Sequence, residues 1–202
     1  MDKGNTMSLL IAEYNQEMHR LPRMSSDEFY EFCRENPDLN VELNAQGDVV
    51  LMPPADCYTD SVNSEIITDL AIWNRQLAEP GLVFGTSAGF TLPNGAVRAA
   101  DAAWLPASQW NALTERQQTN FAQTCPLFVI ELMSPSDRLR NAQEKMAEWV
   151  ANGAQLGLLI YRSARTVYVY RPGHEIEEWD NPERISCEPE LPGFVLETAR
   201  IF

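Results

Sequence analysis

The stretch that decides the fold is FVIELMSPSDRLRNAQEKMAEWV, residues 128–150. It begins as an unbroken apolar run, and Glu131 interrupts that run in the middle. A run of this kind, with no polar alternation, reads as a strand buried on both faces of a sheet. A carboxylate inside such a strand is costly unless a cation or hydrogen-bond donors hold it. The following segment has helical periodicity. Leu139, Ala142, Met146, Trp149 and Val150 share one stripe, and Lys145 sits on the edge of that stripe. The spacing predicts a helix beginning near Asp137 and stopping at Asn152-Gly153.

Working outward, a second strand-like segment, VRAADAAWL (97–105), carries Asp101 among small and apolar residues. Between and around these two strands the pattern alternates. Ser25 followed by Glu28 is a capping box and opens a helix. NVELNAQGDVVLMPP (40–54) reads as two short strands around a Gln46-Gly47-Asp48 turn. TDSVNSEIITDLAIWNRQLA (59–78) is a long helix with Val62, Ile66, Leu70, Trp73 and Leu77 on one face. Pro93-Asn94-Gly95 signals a hairpin. Thr114 with Gln117 caps a short helix. LGLLIY (156–161) and TVYVYRP (166–172) are two strands joined by a tight turn. The order of elements predicts an α/β fold with a mixed central sheet flanked by helices. Residues 1–22 read as an N-terminal helical arm, and residues 23–202 as a single domain.

Composition narrows the function. The chain has 202 residues, of which 45% are hydrophobic, and no apolar run approaches a membrane span. No small-residue cleavage site follows the short apolar patch near the start, so the expectation is a cytoplasmic protein without a signal peptide. The four cysteines, Cys33, Cys57, Cys125 and Cys187, are scattered without a CxxC pair, which argues against zinc and against a disulfide framework. The formal net charge of −14 argues against nonspecific coating of nucleic acid, and leaves room only for a local basic cleft. Arg98, Arg138, Arg140 and Arg162 are the candidates to line one.

Two carboxylates on buried strands must either take up protons or gather a cation. Brought together, Asp101 and Glu131 form an oxygen-ligand site of the kind that suits Mg²⁺ or Mn²⁺. Lys145 follows Glu131 at a distance that lets the helix carry its ammonium back toward the carboxylates. Glu65, beside the apolar face of the long helix, is a further acid candidate. Acid, acid, metal and lysine together suit metal-assisted phosphodiester hydrolysis. Each residue also has a plainer reading. Glu131 could pair with Arg98 or Arg138, and Asp101 could cap a turn. Lys145 could pair with Glu148 on an open helix face, and Glu65 could simply be solvated.

Three segments taken together, TSAGFTLPNGAVRAADAAWLP, CPLFVIELMSPSDRLRNAQEKMAEWVANG and LPGFVLE, resemble the Uma-two-type restriction endonucleases within the PD-(D/E)xK nuclease superfamily. The resemblance runs from about residue 22 onward. It implies a restriction-endonuclease-like fold, a Mg²⁺- or Mn²⁺-dependent site with Asp101 and Glu131 as the two acids, DNA as the expected nucleic-acid substrate, and pairing of two copies into a homodimer. The superfamily lysine usually stands two residues after the second acid, where this chain has Met133. The resemblance implies that Lys145 takes its place from the next helix. Two positions depart from the pattern: Ala100 stands where a proline is expected, and Tyr161 where relatives often carry aspartate. The other function class that fits the sequence is a catalytically silent scaffold of the same fold acting as a binding or regulatory module, and the acidity of the chain favours it.

Overall fold

A computed structural model describes residues 21–52 and 54–202. The expected arm, residues 1–22, lies outside the described residues except for its last two.

The chain enters through helix α1, Ser26–Glu35. The Ser25 side chain accepts from the Glu28 N–H and the Glu28 carboxylate accepts from the Ser25 N–H, so both halves of the capping box form. Strands β1, Val41–Leu43, and β2, Val49–Leu51, make the expected hairpin, with Gly47 at φ 83° in its turn. Helix α2, Cys57–Gln76, is capped by Asp56, whose side chain accepts from the N–H groups of Tyr58 and Thr59. It ends before Leu77, which is extended.

Strands β3, Leu82–Gly85, β4, Phe90–Thr91, β5, Val97–Arg98, and β6, Ala102–Leu105, follow. The Pro93-Asn94-Gly95 signal is the β4–β5 hairpin, with Gly95 at φ 88°. Short helices α3, Ala107–Asn111, and α4, Glu115–Thr119, lead to β7, Phe128–Leu132. Helix α5, Leu139–Ala151, connects β7 to β8, Leu156–Tyr161. Strands β9, Thr166–Tyr170, β10, Glu177–Asp180, β11, Arg184–Ser186, and β12, Val195–Glu197, complete the chain.

The central sheet has six strands in the order β10-β9-β8-β7-β6-β3. Only β7 and β8 are parallel, and α5 is their crossover, so the sheet is mixed. Both faces are covered, which is why β7 reads as a continuous apolar run. Phe128, Ile130 and Leu132 pack with Val62, Ile66, Leu70 and Trp73 of α2. Val129 and Met133 pack on the other face with Met146 and Trp149 of α5. Gly157 on β8 lets α5 approach closely, because a methyl there would overlap the Met146 sulfur. Among the described residues, no helix is long and apolar enough to cross a membrane.

One expectation is corrected. VRAADAAWL is not a single strand: it breaks at Ala99–Asp101. β5 belongs to a separate four-stranded sheet, β2-β1-β5-β4, and β6 to the central sheet. Asp101 is therefore the bend residue between two sheets. The small side chains of Ala99 and Ala100 permit the corner, but they look the same in a sequence as small residues inside a strand.

Candidate active site

Glu131 projects from the α5 side of β7 and is 8% exposed. Two donors from α5 hold one of its oxygens. The indole N–H of Trp149 donates to Oε1 at 2.8 Å, and the Lys145 ammonium lies 3.1 Å from the same atom. The other oxygen, Oε2, has no hydrogen bond among the described residues. Neither Arg98 nor Arg138 pairs with Glu131. Burial raises its carboxyl pKa, and the neighbouring charges of Asp101 and Glu42 raise it further. Lys145 and the Trp149 N–H oppose them, and the net result is a pKa pushed up to about 7.

Lys145 turns inward rather than out along its own helix. Its ammonium donates to the Ala99 carbonyl at 2.8 Å and meets Glu42 Oε1 at 2.9 Å as well as Glu131. Those three acceptors match its three protons. Burial alone would weaken its charged form, but Glu131, Glu42 and Asp101 outweigh it and push its pKa above the ordinary lysine value. The plainer pairing with Glu148 does not form, because Arg98 takes Glu148 at 2.6 Å.

Asp101 stands where the β6–β7 ladder stops. The register continued one step beyond its last pair, Ala102 with Ile130, sets Asp101 across from Glu131. Its Oδ2 accepts from the Leu132 N–H at 2.7 Å, and its Oδ1 accepts from Asn63 at 3.3 Å. Burial raises its pKa, only partly offset by the Leu132 N–H and Lys145. Asp101, Glu131 and Lys145 therefore meet at one end of the central sheet. Glu65 does not join them. It faces solvent on α2 and lies 3.6 Å from Arg200. The inward residue on that helix is Asn63, two positions earlier.

The sequence reading missed Glu42. It is 4% exposed on β1 and binds Lys145, Arg98 at 3.0 Å and the Ala99 N–H at 3.1 Å. Burial opposes its charge, but Lys145 and Arg98 together hold its carboxyl below the usual range. In VEL the alternation places Glu42 opposite its apolar neighbours, a pattern that ordinarily marks a solvent face. Only the packing of the small sheet against the central one buries it. Arg98 is committed between Glu42 and Glu148 and is therefore not free for a phosphate.

The donor set consists of oxygen atoms. Two buried carboxylates at one sheet end, each raised by burial, are stabilised by added positive charge. Among the described residues no three His, Cys, Asp or Glu side chains form a cation cage. Mg²⁺ does not need one, since it is held through one or two carboxylates with water and substrate phosphates completing the shell. The residues present fit such an ion.

A mixed sheet flanked by helices, with two acids and a lysine at one end, defines a restriction-endonuclease-like protein. A match to the Uma2 family, described as "Putative restriction endonuclease", spans residues 26–199, and the chain belongs to that family. Its fold is that of a crystal structure described as a putative nuclease belonging to DUF820 from Anabaena variabilis ATCC 29413. The two chains are 20% identical and align with a TM-score of 0.74, over 89% of this chain and 97% of that one. None of the curated proteins matches the chain.

Proposed function

We propose that this protein is a metal-dependent endonuclease that hydrolyses phosphodiester bonds of nucleic acid, with DNA as the substrate. The observation that carries the reading is the inward turn of Lys145 onto Glu131, beside Asp101 at the bend that leads into the neighbouring strand. A lysine that served only solubility would not be desolvated among carboxylates.

Asp101 and Glu131 are the residues that would hold Mg²⁺ or Mn²⁺. When bound, the ion supplies Lewis-acid chemistry, offsetting charge on the phosphate and acidifying a water. Trp149 fixes the Glu131 carboxylate, and the Leu132 N–H fixes that of Asp101, so neither must reorganise during reaction. Glu42 and the Ala99 carbonyl anchor Lys145. Its contact with Glu131 is the longest of the three, and a phosphate oxygen arriving at this end of the sheet competes for that proton. Of the four candidates, Arg162, Arg138 and Arg140 are left to contact phosphates, Arg140 from an exposed pair with Glu144. Arg162 stacks on Tyr58, 4.3 Å from the ring centroid, and Arg138 is exposed, with no ion pair among the described residues.

One observation favours the second reading, a catalytically silent module. Lys145 already satisfies its three protons internally, as a permanent counter-cation would. Calorimetric titration with Mn²⁺ of the protein and of Asp101→Ala, alongside plasmid cleavage in Mg²⁺ and in chelator, separates the two. The nuclease reading expects Mn²⁺ binding that Asp101→Ala abolishes, together with chelator-sensitive cleavage. A protein that binds no Mn²⁺ and cuts nothing is the silent module. Size measurement with and without DNA tests whether the active form is a homodimer, an arrangement that would set one site at each strand.

A further inference from the structure

Two of the large apolar residues exposed on the surface flank the site. Val50, 36% exposed, pairs with Glu42 across β1 and β2, so the two project from one face of the small sheet. That face carries the carboxylate that binds Lys145. Tyr58, 58% exposed, stands in the first turn of α2. Asn63, which donates to Asp101, follows five residues later on the same helix, a rise of about 7.5 Å. Tyr58 is also tied to the end of β8. The Arg162 guanidinium, directly after that strand, lies over the ring 4.3 Å from its centroid, and Nη2 donates to the Thr59 hydroxyl at 3.4 Å. β8 runs parallel to β7, so this end of β8 is the end at which Glu131 stands. One face of the Tyr58 ring is therefore backed by a fixed cation, and the other is open among the described residues.

We propose that Tyr58, backed by Arg162 and bordered by Val50, is a stacking platform for an unpaired nucleobase beside the scissile phosphate, so that DNA with single-stranded character is the preferred substrate. This rests on the nuclease reading above and narrows its substrate. A phosphate needs donors, which Tyr58 and Val50 do not supply at their open apolar faces. A nucleobase needs a flat apolar face, and all bases present one in return. Inside a duplex those faces are hidden in the stack, so only an unpaired or flipped base reaches the ring. The charge of the chain points the same way. A net formal charge of −14 opposes dense phosphates, and Arg98 is spent on Glu42 and Glu148. Stacking adds binding that needs no positive charge.

The test is fluorescence anisotropy on the whole chain in Ca²⁺ at fixed salt, with three dye-labelled probes of equal length. They are a mixed-sequence single strand, its blunt duplex, and an abasic oligomer that keeps the phosphates and lacks the bases. The parent should bind the single strand more tightly than the duplex, and about tenfold or more tightly than the abasic oligomer. Tyr58→Leu should weaken single-strand binding by about tenfold, the effect of losing one base–aromatic stack. It should stay within about twofold of the parent on the duplex and on the abasic oligomer, because neither presents a free base face. Tyr58→Phe should bind the single strand within about twofold of the parent, because stacking uses the ring alone. If Tyr58→Leu does not fold, Tyr58→Ala is read in its place with the same expectation.

Equal losses by Tyr58→Leu on the single strand and on the abasic oligomer overturn the proposal, and reduce Tyr58 to a shelf that aims Arg162 at phosphates. Unchanged single-strand affinity in Tyr58→Leu overturns it too. So does a parent that binds the duplex more tightly than the single strand, or binds none of the three probes. Failure of the underlying reading looks different: the parent binds no Mn²⁺ and cuts neither form of DNA in Mg²⁺, while its base-dependent binding persists.

Discussion

The ammonium of Lys145 lies 3.1 Å from Glu131 Oε1 and 2.9 Å from Glu42 Oε1, so one lysine on α5 joins the central sheet to the small one. Its side chain is 17% exposed, and the two carboxylates 11% and 5%. Ions this far from water depend on each other, and removing one leaves the rest uncompensated.

Lys145→Met is therefore expected to do two things. It should cut any hydrolytic rate by on the order of a hundredfold, the loss of one preorganised charge. It should also destabilise the fold by about 3–5 kcal/mol, because Glu42 and Glu131 lose their shared cation. Adding Glu131→Gln to Lys145→Met should recover part of the stability and none of the rate. Urea unfolding and single-turnover cleavage measure the two effects. An unchanged rate in folded Lys145→Met would dismiss the lysine from the chemistry.

Acid should weaken the protein through Glu42. Its folded pKa is depressed, so its contribution to stability is complete above the unfolded value of about 4.3 and is lost as pH falls through the lower folded value. Glu42→Gln should be less stable at pH 7 by about 2 kcal/mol or more. It should also lose less stability than the parent between neutral pH and pH 3. Denaturant midpoints at several pH values check this, and parallel curves for the two proteins would contradict it.

Arg98 and Arg162 should part company in binding. Arg162→Gln should weaken duplex binding in Ca²⁺ and lower the slope of log affinity against log salt by about one. Arg98→Gln should lower stability and leave that slope alone, because its guanidinium is spent on Glu42 and Glu148. Fluorescence anisotropy over a salt series reads both. Equal slopes for parent and Arg162→Gln would remove Arg162 from the interface.

What the sequence determined by itself is local. The capping box at Ser25, the Pro93-Asn94-Gly95 hairpin, the stripe of α2 and the doubly buried run of β7 are set by side chains a few residues apart, and periodicity displays them. The resemblance carried by residues 86–106, 125–153 and 191–197 pointed to the family and to Asp101, Glu131 and Lys145. Tertiary structure alone decided the rest. It split 97–105 between two sheets, because the small side chains of Ala99 and Ala100 fit a corner as well as a strand. It turned Asn63 inward and Glu65 outward. Residues two positions apart on a helix point about 200° apart, and which of two polar residues faces the sheet is set by the packing. It also buried Glu42, whose alternating pattern on β1 marks an outer face until a second layer covers it. Charges that meet across 89 residues, as Glu42 and Glu131 do through Lys145, leave no period in the chain. Their partnership exists only where the two sheets and α5 converge.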